Sequence, residues 1–91
     1  VTAIDELKFP DLSLKVYPNP TDYIIHIQSR GRADLQFQFS LFDANGKILL
    51  DKKITKNPEE VNMGQYRAGN YILNIITADG KPVQKFKIIK R

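Results

Sequence analysis

Leu35-Gln36-Phe37-Gln38-Phe39-Ser40-Leu41 alternates apolar and polar residues over its whole length. Successive side chains of an extended strand point to opposite faces, so this stretch makes a strand with one dry face and one wet face. Asp43-Ala44-Asn45-Gly46 follows closely and supplies residues that tolerate the positive φ of a tight reversal. Lys47 to Ile54 then reads as the returning strand of a hairpin. The same alternation, broken by Pro, Gly, Asn and Asp, recurs on both sides of this hairpin, and no helical period competes with it.

Toward the N-terminus, Tyr23-Ile24-Ile25-His26-Ile27 is expected to be a strand with Tyr23, Ile25 and Ile27 on one face. Leu14 to Tyr17 precedes it as a short first strand. Pro18-Asn19-Pro20 closes that strand, because two fixed φ angles and two missing N–H groups forbid further ladder pairing. Toward the C-terminus, Lys56-Asn57-Pro58-Glu59-Glu60 breaks the returning strand, and a short element forms around Val61 and Met63. Asn70 to Thr77 follows, with Tyr71, Leu73 and Ile75 on one face. Asp79-Gly80 is a second hairpin turn, and Val83 to Ile89 is the last strand.

Seven strands about ten residues apart fit an all-β, seven-stranded antiparallel sandwich of immunoglobulin-like architecture. The Cys and Trp hallmarks of true immunoglobulin domains are missing, and a single antiparallel sheet or a small barrel fits the same pattern. Residues 1–13 hold no sustained period and read as a linker from a preceding cargo domain; residues 14–91 are the domain proper. The sequence starts at Val1 without an initiator Met, which reads as a domain excised or processed from a longer product.

With 91 residues, 42% apolar and 26% charged, the chain is too hydrophobic for a disordered tail and large enough for one core. No run approaches the roughly 18 apolar residues of a membrane-spanning helix. Without Cys there is no disulfide, thiolate zinc site or thiol nucleophile. The net charge of +4 gives a mild attraction to anionic surfaces.

Chemistry is hard to find. His26 is the only histidine and alternates with Ile25 and Ile27, so it points away from their face and lacks the partners of a general base or metal ligand. Asp43-Ala44-Asn45-Gly46 has the start of a calcium loop without its closing bidentate Glu, and turn chemistry explains it. Arg30-Gly31-Arg32 has no interleaved aromatics to stack bases, which argues against nucleic acid as a partner. No cofactor is implied. Five of the 14 basic residues, Lys81, Lys85, Lys87, Lys90 and Arg91, fall in the last eleven positions. Lys85 and Lys87 have parity opposite to Phe86 and Ile88, so the last strand pairs a packing face with a face of ammonium groups. Such lysines guard an edge strand against aggregation or offer a basic handle to a receptor.

The order of these motifs is more informative than any one of them. Val16-Tyr17-Pro18-Asn19-Pro20, then Leu41-Phe42-Asp43 running to Gly46-Lys47, then Gly69-Asn70-Tyr71-Ile72-Leu73, then Gly80-Lys81 and Lys85-Phe86-Lys87-Ile88-Ile89-Lys90 together resemble the C-terminal sorting domain of the type IX secretion system of Bacteroidetes. By position, Pro18, Asn19 and Pro20 match the family's first motif, Gly46, Gly69, Tyr71 and Leu73 its central ones, and Lys81, Lys85, Ile88, Ile89 and Lys90 its terminal one. Tyr66 stands where such domains commonly carry Leu.

The resemblance implies a non-enzymatic export and sorting signal at the C-terminus of a cargo protein. The cargo would cross the periplasm and then an outer-membrane translocon, with shuttle proteins as partners, to the cell surface or beyond. A sortase-like cysteine protease would afterwards remove the signal. Pairing of two copies through sheet edges is a further expectation. An accessory carbohydrate-binding or adhesive sandwich is the alternative, and it requires exposed aromatics in a groove.

Overall fold

In a computed structural model describing residues 11–32 and 34–91, the chain forms β1 (Ser13–Tyr17), β2 (Ile24–Arg30), β3 (Phe37–Phe42), β4 (Ile48–Lys53), β5 (Glu59–Asn62), β6 (Gly69–Thr77) and β7 (Pro82–Lys90). Among the described residues there is no helix. Residues 1–10, most of the expected linker, lie outside the described residues. Leu12 is buried and Ser13 opens β1.

The order β1-β2-β5 makes a three-stranded sheet and β4-β3-β6-β7 a four-stranded one, with antiparallel pairing throughout. This two-sheet division resolves the alternatives left open by periodicity in favour of the sandwich. The packing follows from alternation. Ile25 and Ile27 of β2 with Val61 and Met63 face Phe37, Phe39 and Leu41 of β3, Tyr71, Leu73 and Ile75 of β6, and Val83, Phe86 and Ile88 of β7 in one buried cluster. Burying each such side chain contributes roughly 1.5–3 kcal/mol.

Strict alternation would place Val83 on the face opposite Phe86. The β6–β7 register slips between Ile75, opposite Gln84, and Ile76, opposite Pro82, so Val83 is the extra residue of a bulge. The slip lets Val83, Phe86 and Ile88 all point inward.

An immunoglobulin hallmark survives without the cysteines. The Tyr71 hydroxyl, near the start of β6, donates to the Arg67 carbonyl at 2.6 Å, a tyrosine corner. Leu73, fully buried two residues later, occupies the position where antibody domains place their second cysteine. Tyr66 packs on Tyr71 with ring centroids 5.9 Å apart.

Two sequence expectations need correction. Tyr23 does not share the inward face of Ile25 and Ile27: β2 starts one residue later, at Ile24, and Tyr23 is 58% exposed. The Thr21 hydroxyl accepts from the Tyr23 N–H and donates to the Ile24 carbonyl, which keeps the chain turned until Ile24. The Tyr23 ring lies over Gly64, where an added Cβ would come within 2.3 Å of it. Leu35 is likewise outside β3; its N–H closes a turn onto the Arg32 carbonyl while its side chain packs against the core.

Candidate functional site

The strand directions define two ends of the sandwich. β1 runs from Ser13, opposite Arg30, to Tyr17, opposite His26. The chain therefore arrives from its N-terminal side at the end carrying the loop after Arg30 and the β6–β7 turn. At the far end lie the Asp43–Lys47 turn, the start of β6, the finish of β7 and the Pro18-Asn19-Pro20 segment. These are called the linker end and the strap end.

At the strap end, residues 18–22 leave the three-stranded sheet and lie along the outer edge of β7. The Asn19 amide donates from Nδ2 to the Lys87 carbonyl at 2.7 Å, and its Oδ1 accepts the Ile89 N–H at 3.0 Å. The Thr21 N–H then donates to the Ile89 carbonyl and the Thr21 carbonyl accepts the Arg91 N–H, both at 2.8 Å, in a parallel bridge. Four successive outward-facing backbone groups of the last strand are thus taken. The Tyr17–Pro18 and Asn19–Pro20 peptide bonds on this path are cis. Asp22 adds a two-point ion pair to Arg91, 3.1 Å to Nε and 3.3 Å to Nη2.

The chemistry explains the residue types. Prolines at 18 and 20 cannot donate to a neighbouring strand, so the Asn19 side chain supplies the donor and acceptor that the main chain lacks. Thr21 is 1% exposed, and its hydroxyl is satisfied by bonds to Tyr23 and Ile24.

Most other predicted residues converge here. Gly69 lies opposite Lys90, Tyr71 opposite Ile88 and Leu73 opposite Phe86, so the central and terminal motifs are neighbouring rungs of one ladder. Tyr71, Leu73 and Ile88 are core residues. Gly46, at φ +85°, closes the β3–β4 turn by donating to the Asp43 carbonyl, while the Asp43 carboxylate accepts from the Asn45 and Lys47 N–H groups. Lys87 and Ile89 stand exposed on the outer face, with Lys85 half-buried beside them and Lys90 half-buried at the strand's end.

Lys81 is not brought to the strap end. It sits in the β6–β7 turn at the linker end, where its N–H donates to the Thr77 hydroxyl. That hydroxyl also donates to the Asp79 carboxylate, which holds the Asp79 pKa below the usual value. Asp34 is lowered chiefly by hydrogen bonds from the Arg32 guanidinium.

Sequence reasoning overlooked Thr21 and Asp22 as parts of the site, and it placed Arg91 in the basic terminus without its partner Asp22. Asp22 and Arg91 lie 69 positions apart, and no local pattern links them. A polar Thr directly after a proline pair was the one available signal.

Elsewhere, His26 stacks on Tyr17 with centroids 5.2 Å apart and lies 3.5 Å from Glu60, on the outer face of the three-stranded sheet. Its Nδ1 is buried without a partner. Among the described residues no cluster of three or more His, Asp or Glu could hold a metal ion. The exposed aromatics are Tyr17, stacked on His26, and Tyr23, lying over Gly64.

Comparison with curated proteins and with solved structures finds no match. A family model for the secretion system C-terminal sorting domain matches residues 15–90, a span that takes in the Pro18–Asp22 strap, both hairpin turns and β7 up to Lys90. On that match and on the sandwich that carries it, the chain belongs to the family of type IX secretion C-terminal sorting domains.

Proposed function

We propose that the strap end is the face by which export machinery recognises this domain, while the linker end carries the cargo. The observation behind this reading is the convergence of widely separated motif residues on one end of the sandwich, around the basic finish of β7. A signal carried by unrelated cargos needs a shape independent of them. The two ends lie at opposite ends of β1 and β7, so a cargo of any size leaves the strap end clear.

On this reading the cargo passes through the periplasm, meets shuttle proteins and an outer-membrane translocon, and reaches the surface or the medium. A sortase-like cysteine protease then separates cargo from signal on the N-terminal side of β1. The domain contributes recognition and no bond-breaking chemistry. Pairing of two copies through the β4 edge meets Lys52 and Lys53, and through the upper half of β7 it meets the strap. β1, β5 and the lower half of β7 are the edges left for such a pair.

The test is an export assay. Residues 1–91 are fused behind a fluorescent protein bearing an ordinary signal peptide and expressed in a Bacteroidetes host with and without a working translocon. Fluorescence should reach the surface or medium only with the translocon. Deleting Ile88 to Arg91 should retain it in the periplasm; unchanged export of that deletion would sink the reading.

A further inference from the structure

The strap is a makeshift partner for β7. It covers four edge groups of the last strand, yet two of the covering bonds come from the Asn19 side chain because the flanking prolines have no N–H to give. A true strand would make such bonds entirely from its backbone. The strap also belongs to the β1–β2 connection of the other sheet, so it can lift from β7 without breaking any strand pairing within either sheet. An edge guarded by permanent charge, as β4 is by Lys52 and Lys53, stays closed; one guarded by a displaceable segment can open.

We propose that the outer edge of β7 from Lys87 to Arg91 is a latent strand-addition site held shut by residues 18–22, and that the segment displacing them is extended, parallel to β7 and carries a carboxylate for Arg91. The strap is the template for that occupant. It pairs through a parallel bridge at Thr21 and Lys90, and the carboxylate that follows Thr21 takes the Arg91 guanidinium. A second copy of β7 fits poorly, because it would bring Lys85, Lys87 and Lys90 against their equivalents. The inference rests on the proposed recognition at the strap end and adds a gate and a partner chemistry to it.

The gate has an arithmetic consequence. A segment that must displace the strap binds with an affinity reduced by the fraction of molecules whose edge is open. Weakening the strap should therefore tighten binding, whereas a strap that served folding alone would leave binding unchanged or worse. Losing the two Asn19 bonds should raise the open fraction roughly tenfold or more.

The probe is a fluorescein-labelled peptide of residues 17–23, titrated by anisotropy into the full 91-residue chain and its Asn19→Ala/Asp22→Ala variant. The variant should bind about tenfold or more tighter than the unaltered chain. A peptide with Lys in place of the Asp22 equivalent should lose most of that gain. Amide exchange at Ile89 and Arg91 is followed alongside to report edge opening. If those amides stay protected in the variant, or become exposed while the peptide binds no better, the gate is refuted; equal binding of the Lys peptide refutes the carboxylate requirement. Should the double variant fail to fold, Asp22→Ala alone carries the same comparison at smaller amplitude. The export assay separates the two ideas: a working gate whose opening leaves export unaltered sinks recognition at this edge, and lost gating with normal strap-dependent export sinks the gate alone.

Discussion

Two Asn-Pro dipeptides, Asn19-Pro20 and Asn57-Pro58, sit at opposite ends of the sandwich and use the same chemistry for different purposes. In each, a carboxamide takes over pairing beside a proline that cannot donate. Asn57 accepts the Ser29 N–H at 3.0 Å and donates to the Ser29 carbonyl at 2.8 Å. Ile27 lies opposite Glu59, so this side chain adds the next rung to an existing β2–β5 pair within one sheet. Asn19 instead joins the β1–β2 connection to β7 and closes the edge of the other sheet. The difference teaches that Asn before Pro is a portable substitute for a peptide group, and that its role is set by the strand it meets.

The first way to break the comparison is to remove the anchor that only one site has. Thr21 is buried and its hydroxyl bonds both Tyr23 and Ile24. Thr21→Val keeps the shape and strands two polar groups, so it should cost about 2–3 kcal/mol. Thermal unfolding should show a fall in Tm of roughly 10 °C or more. A shift below a few degrees would mean that the strap is held by its β7 contacts alone.

The second sharpens the contrast directly. Asn19→Ala should cost about 1–2 kcal/mol and Asn57→Ala about 0.5–1 kcal/mol. The smaller value follows from redundancy: the Glu59 carboxylate also holds the Asn57 loop by accepting the Thr55 and Lys56 N–H groups. Amide exchange separates the two more sharply than stability does. Asn19→Ala should speed exchange at Ile89, 70 residues away, whereas Asn57→Ala should speed it at Ser29 and leave Ile89 alone. Equal effects on both amides would show that the two dipeptides act through global stability only.

Most of the fold was legible because it rests on local alternation. Phe37, Phe39 and Leu41, or Tyr71, Leu73 and Ile75, announce a buried face whatever surrounds them. The convergence of Pro18-Asn19-Pro20 with β7 was not legible, since it depends on bringing residues about seventy positions apart together across two sheets. Tyr23 was misplaced for a related reason. Its parity with Ile25 and Ile27 is correct only if the chain is already extended at 23, and the Thr21 hydroxyl delays that by one residue. The Val83 bulge escaped notice because a one-residue slip looks like noise in a short pattern. The lysine parity of β7 and its place at the edge were readable, but the strap that covers part of that edge was not.

The smallest expected effect distinguishes the two ends by acid. Asp34 and Asp79, both at the linker end, have pKa values below the ordinary 3.8, the first chiefly through hydrogen bonds from Arg32 and the second through the Thr77 hydroxyl. A carboxyl whose folded value is depressed contributes stability that is fully present above its unfolded value and is lost as pH falls through the folded one. The contribution should therefore hold from neutrality down to about pH 4 and fade below it. Both groups are solvent-exposed, so the change in overall stability should be slight. It should be visible locally, as faster amide exchange at Gly80 and Lys81 and at Leu35 when exchange at pH 3 is compared with pH 5 after correction for intrinsic rates. With Asp22→Asn in place, so that no carboxylate remains on the strap, the Asn19 amide should keep the Ile89 N–H protected over the same interval. Loss of protection at Ile89 in step with Lys81 would show that the two ends open together, and the division of labour between the two Asn-Pro sites would fail.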